Sequence, residues 1–222
     1  MLSTLLNLLF PSYCLICEKK VKQSDYPVCQ DCLAMIKPLS PAICRVGGPA
    51  ALAKIFFFQA RAAGIYEGIL KKMIHLFKYK KKTSLARPLS DLLLKFLEGN
   101  PLWIKVDYFV PVPLTQRRLR ERGFNQAEYL ARRLAMSLNI KLSVNNLKRK
   151  GSSSSQVKAG REERNKNVAG AFYLAKPEIF RGKKILLIDD VFTTGSTANA
   201  CARVLREGGS KEVLVLTAAR AG

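Results

Sequence analysis

Residues 184–197 read KILLIDDVFTTGST, and they predict a strand, a loop and a helix in direct succession. Their run of four apolar residues predicts a strand buried on both faces, which we place at 184–189. Asp189 and Asp190 mark the carboxyl end of that strand, the edge at which open α/β sheets bind ligands. A helix is predicted directly afterwards, at 196–207, where Gly208 and Gly209 end it.

The loop between this strand and this helix is rich in hydroxyl groups, from Thr193 through Gly195 to Thr197. Its hydroxyls, backbone N–H groups and positive helix end are suited to a terminal phosphate. Because carboxylates repel a bare anion, we expect Asp189 and Asp190 to hold ribose hydroxyls or a Mg²⁺ ion that the ligand coordinates. The chain has neither the G-x-x-x-x-G-K-[ST] loop of Walker-type nucleotide-binding proteins nor the G-x-G-x-x-G fingerprint of Rossmann folds. Both of these classes are therefore excluded. An ordinary strand–turn–helix remains as an alternative.

Strands and helices alternate along the rest of the chain. Apolar residues at helical spacing predict helices at 65–80, 85–97 and 125–138. Further strands are predicted at 106–112, 140–147 and 213–218, with another within 49–63, and the polar, basic segment 149–167 predicts a mobile loop. This order favours an α/β fold with a mostly parallel central sheet flanked by helices.

The charge of the chain points to an anionic partner. Its 222 residues include 38 Lys and Arg but 16 Asp and Glu, for a net charge of +22. With 48% hydrophobic residues the chain can bury a core, which excludes a disordered polyelectrolyte. Residues 111–172 carry 14 basic and 4 acidic residues, more cations than one small ligand needs, so a nucleic acid is favoured as well.

The amino terminus predicts no export. Residues 1–10, MLSTLLNLLF, have no basic flank and no small-residue cleavage site, so we interpret them as a short amphipathic helix. Nor does any apolar run approach the length of a membrane span. A cytoplasmic location with reduced cysteines is therefore expected.

Two cysteine knuckles, Cys14–Cys17 and Cys29–Cys32, are separated by eleven mostly polar residues. Four thiolates from two tight turns can close a tetrahedron around zinc, and zinc would then fold this segment. A pair of disulfides is the alternative, which the missing signal peptide disfavours. Cys44 and Cys201 have no assigned role beyond small buried thiols.

The motif at 185–197 matches the phosphoribosyl-diphosphate (PRPP) binding motif of type I phosphoribosyltransferases. VPVPLTQRRLRERGFNQAEYLARRLA (110–135), SSSSQVKAGREERNKNVAGAF (152–172) and the knuckles together resemble the competence-associated ComF (ComFC) family over nearly the whole chain. Many relatives carry further C-x₂-C pairs. Here Gly47 stands where a partner of Cys44 would be, so the resemblance implies one zinc site.

The resemblance implies a type I phosphoribosyltransferase fold at 49–222, preceded by a small zinc ribbon or finger at 1–48. Asp189 and Asp190 would contact the ribose hydroxyls and Mg²⁺, and 193–197 would hold the 5-phosphate. The implied PRPP-binding residues are Asp189, Asp190, Val191, Phe192, Thr193, Thr194, Gly195, Ser196 and Thr197. Structural Zn²⁺ would be bound by Cys14, Cys17, Cys29 and Cys32.

The resemblance also places a pyrophosphate loop at 111–118 and a flexible lid at 149–167, with Ser152–Ser155 among its residues. The implied pyrophosphate and lid residues are Arg117, Arg118, Arg122, Gln126, Arg161, Arg164 and Asn167. No residue is predicted to act as the general base.

Two functions remain open from the sequence. One is a PRPP-binding protein that acts in natural competence, in the uptake and processing of transforming DNA, with single-stranded DNA and other competence proteins as partners. The other is an active Mg²⁺-dependent phosphoribosyltransferase of nucleotide or cofactor metabolism with an unknown acceptor. The sequence does not decide whether the protein is an enzyme.

Overall fold

A computed structural model of the chain describes residues 12–21, 26–39, 54–150 and 170–221. The helices in these ranges are α1 (Gln30–Ala34), α2 (Gly68–Tyr79), α3 (Ala86–Glu98), α4 (Gln116–Arg122), α5 (Gln126–Leu138) and α6 (Ser196–Glu207). The strands are β1 (Gln59–Ile65), β2 (Tyr108–Pro111), β3 (Lys141–Leu142), β4 (Leu147–Arg149), β5 (Phe172–Leu174), β6 (Lys184–Phe192) and β7 (Glu212–Arg220). Short 3₁₀ helices lie at Thr83–Leu85, Pro101–Ile104 and Pro177–Phe180.

A five-stranded parallel sheet has the order β1-β7-β6-β2-β3. β6 and β7 lie at its centre, which is why both are long apolar runs: each is covered on two faces. In the register of β2 on β6, Pro111 pairs with Ile188. The carboxyl ends of these two strands therefore open at the same edge of the sheet. The predicted α/β class is confirmed.

Helices cover the two faces of the sheet with separate apolar layers. On one face, α2, α3 and α5 bury their apolar stripes against the sheet, with Phe77, Leu93 and Leu130 fully buried. On the other face, α6 packs through Cys201 and Leu205. These buried stripes explain why apolar residues recur at helical spacing in the sequence.

Two elements at the ligand edge differ from the prediction. β6 continues through Phe192, beyond the predicted end at Asp189, because Val191 and Phe192 still pair with β7. The segment after β2 also does not stay a loop to residue 118. α4 begins at Gln116, where the Oγ1 of Thr115 accepts a hydrogen bond of 3.2 Å from the Arg118 amide and caps the helix.

An antiparallel hairpin of β4 and β5 stands beside α6. The Asn146 side chain secures its base: Nδ2 donates to the Lys176 carbonyl at 2.9 Å, and Oδ1 accepts from the Lys176 amide at 2.7 Å. Arg149 ends β4 and so belongs to this hairpin, rather than to the predicted loop that we began at residue 149. Residues 151–167 of that loop, including Ser152–Ser155, lie outside the described residues.

The cysteine module packs against the helical layer formed by α2 and α3. Ile16 and Val28 are buried in the same apolar cluster as Leu70. The Lys72 Nζ donates a hydrogen bond of 2.6 Å to the Ile16 carbonyl, and the Tyr26 hydroxyl donates one of 2.9 Å to an Asp91 carboxylate oxygen. The module is therefore attached to the main domain by apolar and polar contacts.

The predicted boundary between 48 and 49 falls outside the described residues, as does the predicted amphipathic helix at 1–10. None of the helices in the described ranges combines the length and the apolar character needed to cross a membrane.

Candidate functional site

A crevice of about 360 Å³ opens at the carboxyl ends of β2 and β6. Its walls come from the end of β6 with the loop that follows it, the segment after β2 with α4, the ends of β1 and α2, and the end of β4. The side chains that line it are Tyr66, Lys78, Val112, Pro113, Leu114, Arg118, Arg122, Arg149, Asp189, Asp190, Val191, Thr193 and Thr197. Four cations and two carboxylates thus face one small space.

The two carboxylates differ in their surroundings. Asp190 forms an ion pair with Lys78, with 2.8 Å between Oδ2 and Nζ, and their side chains are only 8% and 15% exposed. Asp189 accepts a hydrogen bond of 2.8 Å from the Asp190 amide. Removal from water, and then the charge of Asp190, raise the pKa of Asp189 to about 7, although Lys78 and that amide oppose the shift. Asp189 can therefore exchange a proton near neutral pH.

The hydroxyl loop turns at Gly195, whose φ of +80° lies in the left-handed region that favours glycine. Thr194 and Ser196 hydrogen-bond each other through their hydroxyls at 2.8 Å, which orders the turn. Thr193 and Thr197 face the crevice. The turn thus delivers hydroxyls and the amino-terminal end of α6 to the crevice, an arrangement suited to an anion.

Phe192 does not face the crevice, although it belongs to the predicted PRPP-binding set. It is 2% exposed and meets the Phe57 ring edge to face at 6.3 Å. Alternation along β6 explains the difference, because neighbouring residues of a strand point to opposite faces. Val191 lines the crevice and Phe192 anchors the strand.

Three arginines converge on the crevice. Arg118 and Arg122 lie four residues apart in α4, so they share one face of the helix. Arg149 reaches in from β4 with its guanidinium 5.1 Å from the Phe172 ring centre. Burial, and then the charge of Arg118, lower the pKa of Arg149, while Asp189 opposes the shift. An anion bound near both guanidinium groups would relieve this repulsion.

Several predicted residues lie elsewhere. Arg117 has a side chain that is 78% exposed, pairs with Glu121, and does not belong to the lining of the crevice. Gln126 is buried at the start of α5, outside the lining of the crevice, and its Nε2 has no hydrogen-bond partner among the described residues. The predicted lid residues Arg161, Arg164 and Asn167 lie outside the described residues.

Sequence reasoning missed Lys78 and Arg149 as site residues. The signal was present, since Lys78 continues the buried spacing of Leu70 and Ile74 along α2. Arg149 left no comparable signal, because the sequence alone predicted a loop there.

The four cysteines form the second constellation. Their sulfurs all lie within 4.8 Å of one another, with 3.9 Å between Cys14 and Cys32 and 3.6 Å between Cys17 and Cys29. Ligands at the usual Zn–S distance of about 2.3 Å on a tetrahedron are about 3.8 Å apart, so the set fits zinc. No other group of three or more potential ligands was found within the described ranges.

Backbone amides already favour thiolate at the centre of this cluster. The Cys14 sulfur accepts hydrogen bonds from the Ile16 amide at 3.4 Å and the Cys29 amide at 3.3 Å. Burial alone would raise the pKa of Cys14, but the backbone donors outweigh it and lower the pKa to about 6. The module therefore supports a structural zinc ion.

The two remaining cysteines lie outside this cluster. Cys44 lies outside the described residues, and Cys201 is buried in α6, where burial raises its pKa.

The fold and the crevice define the class of protein. Residues 121–222 match the Phosphoribosyl transferase domain, and residues 5–56 match the Double zinc ribbon domain. The fold is therefore a type I phosphoribosyltransferase domain with an amino-terminal zinc ribbon. Among solved structures, adenine phosphoribosyltransferase from Saccharomyces cerevisiae is similar at 17% identity and a TM-score of 0.40, covering 63% of this chain and 72% of that one.

Curated relatives then give the family. The chain is 29% identical to Competence protein F of Haemophilus influenzae over 94% of its own length and 90% of the relative. It is 28% identical to Competence protein ComFC of Bacillus subtilis, covering 88% and 89%, and 33% identical to DNA utilization protein YhgH of Escherichia coli K12, covering 68% and 66%. The chain belongs to the ComF family.

Proposed function

We propose that the crevice binds PRPP or a related phosphoribosyl ligand, and that the protein acts in the uptake and processing of transforming DNA. The observation that carries the ligand proposal is the placement of two carboxylates among four cations at one strand edge. Carboxylates suit ribose hydroxyls and arginines suit a diphosphate, so the crevice offers both kinds of partner that this ligand requires.

The parts of the ligand have separate partners in this proposal. Asp189 and Asp190 would contact the ribose hydroxyls, and the 193–197 loop would hold the 5-phosphate at the start of α6. Arg118, Arg122 and Arg149 would contact the diphosphate. We expect Arg117 to take no part, because it does not line the crevice and already pairs with Glu121.

Magnesium fits this site only together with the ligand. Carboxylate oxygens are suitable Mg²⁺ ligands, but one of the two carboxylates is already paired with Lys78. Two carboxylates also leave most of an octahedral shell to other oxygens. Asp189 and Asp190 would therefore hold Mg²⁺ that arrives with the diphosphate, whose charge the ion offsets.

The role in DNA processing rests on the relatives and on charge. The Haemophilus influenzae and Bacillus subtilis relatives are named competence proteins, and the Escherichia coli relative is named for DNA utilization. The net charge of +22 exceeds what the crevice uses, so single-stranded DNA is the proposed macromolecular partner. Other competence proteins as partners and a cytoplasmic location stay predictions.

Catalysis is a second candidate function, and the pKa of Asp189 favours it. An active phosphoribosyltransferase displaces pyrophosphate from the anomeric carbon by an acceptor, which often must lose a proton. A carboxyl group with a pKa of about 7, beside the proposed ribose position, is suited to take that proton. Release of pyrophosphate from PRPP in the presence of nucleobases and other acceptors would distinguish an enzyme from a binding protein.

Calorimetry with PRPP and Mg²⁺ tests the ligand proposal. Asp189→Asn should weaken binding about tenfold or more, since it removes a charged acceptor from the site. Asp107→Asn is the matched control, because Asp107 accepts a bond from the Lys184 amide at the opposite end of β6. No binding heat from the wild-type protein, or an equal loss in both variants, would reject the proposal.

Complementation tests the proposed role in DNA uptake. A Haemophilus influenzae strain that lacks Competence protein F should recover transformation when it expresses this chain. Unchanged transformation, despite normal protein levels, would count against the role.

A further inference from the structure

A second cavity, of about 530 Å³, lies between the α2–α3 connection and α5. We call it the basic groove, and we define it by Thr83, Ser84, Arg87, Tyr129, Arg132 and Arg133. All six of these residues are exposed. Its hydroxyl and guanidinium groups are suited to phosphates, and its phenol ring is suited to stacking on a base.

The basic groove is lined by three arginines and bordered by three exposed lysines. Arg132 pairs with Glu128 at 2.8 Å on α5, and Arg133 approaches Asp91 at 3.8 Å. Arg87 adds a third guanidinium. The exposed lysines 80–82 directly precede Thr83 and extend the positive surface. A flexible polyanion, rather than one small anion, would use charge distributed in this way.

Tyr129 supplies an aromatic surface within this charge. Its side chain is 40% exposed, yet the ring is held from behind by Phe124 at 5.0 Å and by Phe77 at 6.4 Å between ring centres. A fixed, partly exposed ring loses little conformational entropy when a base stacks on it. Single-stranded nucleic acids are bound by this combination of basic groups and stacking rings.

The zinc ribbon orders one wall of the groove. The Tyr26 hydroxyl donates to Asp91, and Arg87 lies over the Tyr26 ring at 5.2 Å from its centre. Burial, then the Asp91 bond, raise the pKa of Tyr26 to about 12, so the phenol remains a donor. The described residues of the ribbon itself, 12–21 and 26–39, carry three lysines against two acidic residues and offer little positive charge of their own.

The basic groove also lies next to the crevice. Lys78 lines the crevice and Thr83 lines the groove, so at most about 18 Å of chain separates the two. Arg122 lines the crevice while its guanidinium lies 5.3 Å from the Tyr79 ring centre, on the α2 end that leads to the groove. A strand bound in the groove would pass close to the mouth of the crevice.

We propose that the basic groove is the binding surface for single-stranded DNA, with Arg87, Arg132 and Arg133 on phosphates and Tyr129 stacked on a base. The zinc ribbon acts on DNA binding indirectly, by holding Arg87 and Asp91 in place. This inference rests on the proposed DNA partner and assigns the surface that contacts it.

Fluorescence anisotropy with a labelled oligothymidylate, measured across a range of salt concentrations, tests the proposal. The double variant R132A/R133A should weaken binding about tenfold at low salt and reduce the slope of log affinity against log salt by about one. Tyr129→Leu should weaken binding about fivefold or more, whereas Tyr129→Phe should bind as the wild type does. Thermal melting checks that each variant is folded.

Arg203→Ala is the matched control. Arg203 pairs with Glu207 four residues away at 2.7 Å, as Arg132 pairs with Glu128, but it lies on α6 across the sheet. Its loss should leave affinity within about twofold of the wild type. If the wild type binds and R132A/R133A binds equally well, the groove is wrong while the DNA partner stands. If the wild type does not bind, or prefers duplex DNA of the same sequence, the inference and the proposed partner both fail.

Discussion

Lys78 and Asp190 join two elements that are distant in sequence, the end of α2 and the carboxyl end of β6, through an ion pair of 2.8 Å. The pair lies in the wall of the crevice, where Lys78 partly offsets the charges of both neighbouring carboxylates. It therefore allows two aspartates to remain side by side before any ligand arrives. We expect it to matter for stability and for ligand binding.

Lys78→Met should destabilise the protein by about 3 kcal/mol, because it leaves Asp190 unpaired at a nearly buried position. Urea denaturation measures the loss. Asp190→Asn in the same background should restore part of it, since the uncompensated charge is then gone.

Lys37→Met is the control for this pair. The Lys37–Glu67 pair has the same 2.8 Å distance, but its side chains are 71% and 50% exposed. Its loss should cost far less stability than the loss of the Lys78 pair, because water screens an exposed ion pair. Equal costs at the two sites would show that burial of the Lys78 pair is unimportant.

Arg118→Ala should weaken PRPP binding about tenfold to a hundredfold, the effect of losing a charged hydrogen bond to a phosphate. Arg117→Ala, one residue earlier in the same helix, should bind almost as the wild type does, because its side chain faces solvent and Glu121. Calorimetry on both variants checks this. Comparable losses would mean that α4 presents a different face to the ligand.

The raised pKa of Asp189 predicts a pH-dependent stability. Between pH 3.8 and about 7 the folded state retains a proton that the unfolded state has lost, so Asp189 destabilises the fold increasingly as pH rises through this window. Asp189→Asn should therefore melt at an increasingly higher temperature than the wild type as the pH rises from about 4 to about 7, with little further gain above.

Asp107→Asn is expected to behave in the opposite way. Hydrogen bonding to the Lys184 amide lowers the pKa of Asp107, so its stabilisation is already complete above the ordinary Asp pKa. The loss in this variant should stay constant across the same window. A gain in Asp189→Asn that does not depend on pH would contradict the assignment.

Zinc should stabilise the whole protein and not only the ribbon, because Ile16 and Val28 share an apolar cluster with α2 and α3. We expect about one zinc ion per chain by elemental analysis, and Cys17→Ser should lower this content. Chelation should lower the melting temperature of the main domain. Cys201→Ala should retain zinc, and so should Cys44→Ala if there is a single site.

Much of the fold was predictable because it depends on local pattern. The apolar runs of β6 and β7 and the helical spacing of α2, α3 and α5 survive into the structure with small shifts at their ends. Contacts between residues that are distant in sequence could not be predicted in the same way. No local pattern shows that Arg149 and Arg118 meet, since a hairpin and a helix from different parts of the chain bring them together.

The α/β class, the candidate zinc ligands and the acidic–hydroxyl motif could be predicted from the chain alone, because each depends on residues that are close in sequence. Which cations lie beside that motif depends on how distant segments of the chain fold onto one another. Lys78 lines the crevice although the lysines at 80–82 are exposed, and Arg117, which was predicted to contact the pyrophosphate, is exposed and pairs with Glu121. The reason is geometric: a helix shows one face to its neighbours, and packing against the sheet selects that face.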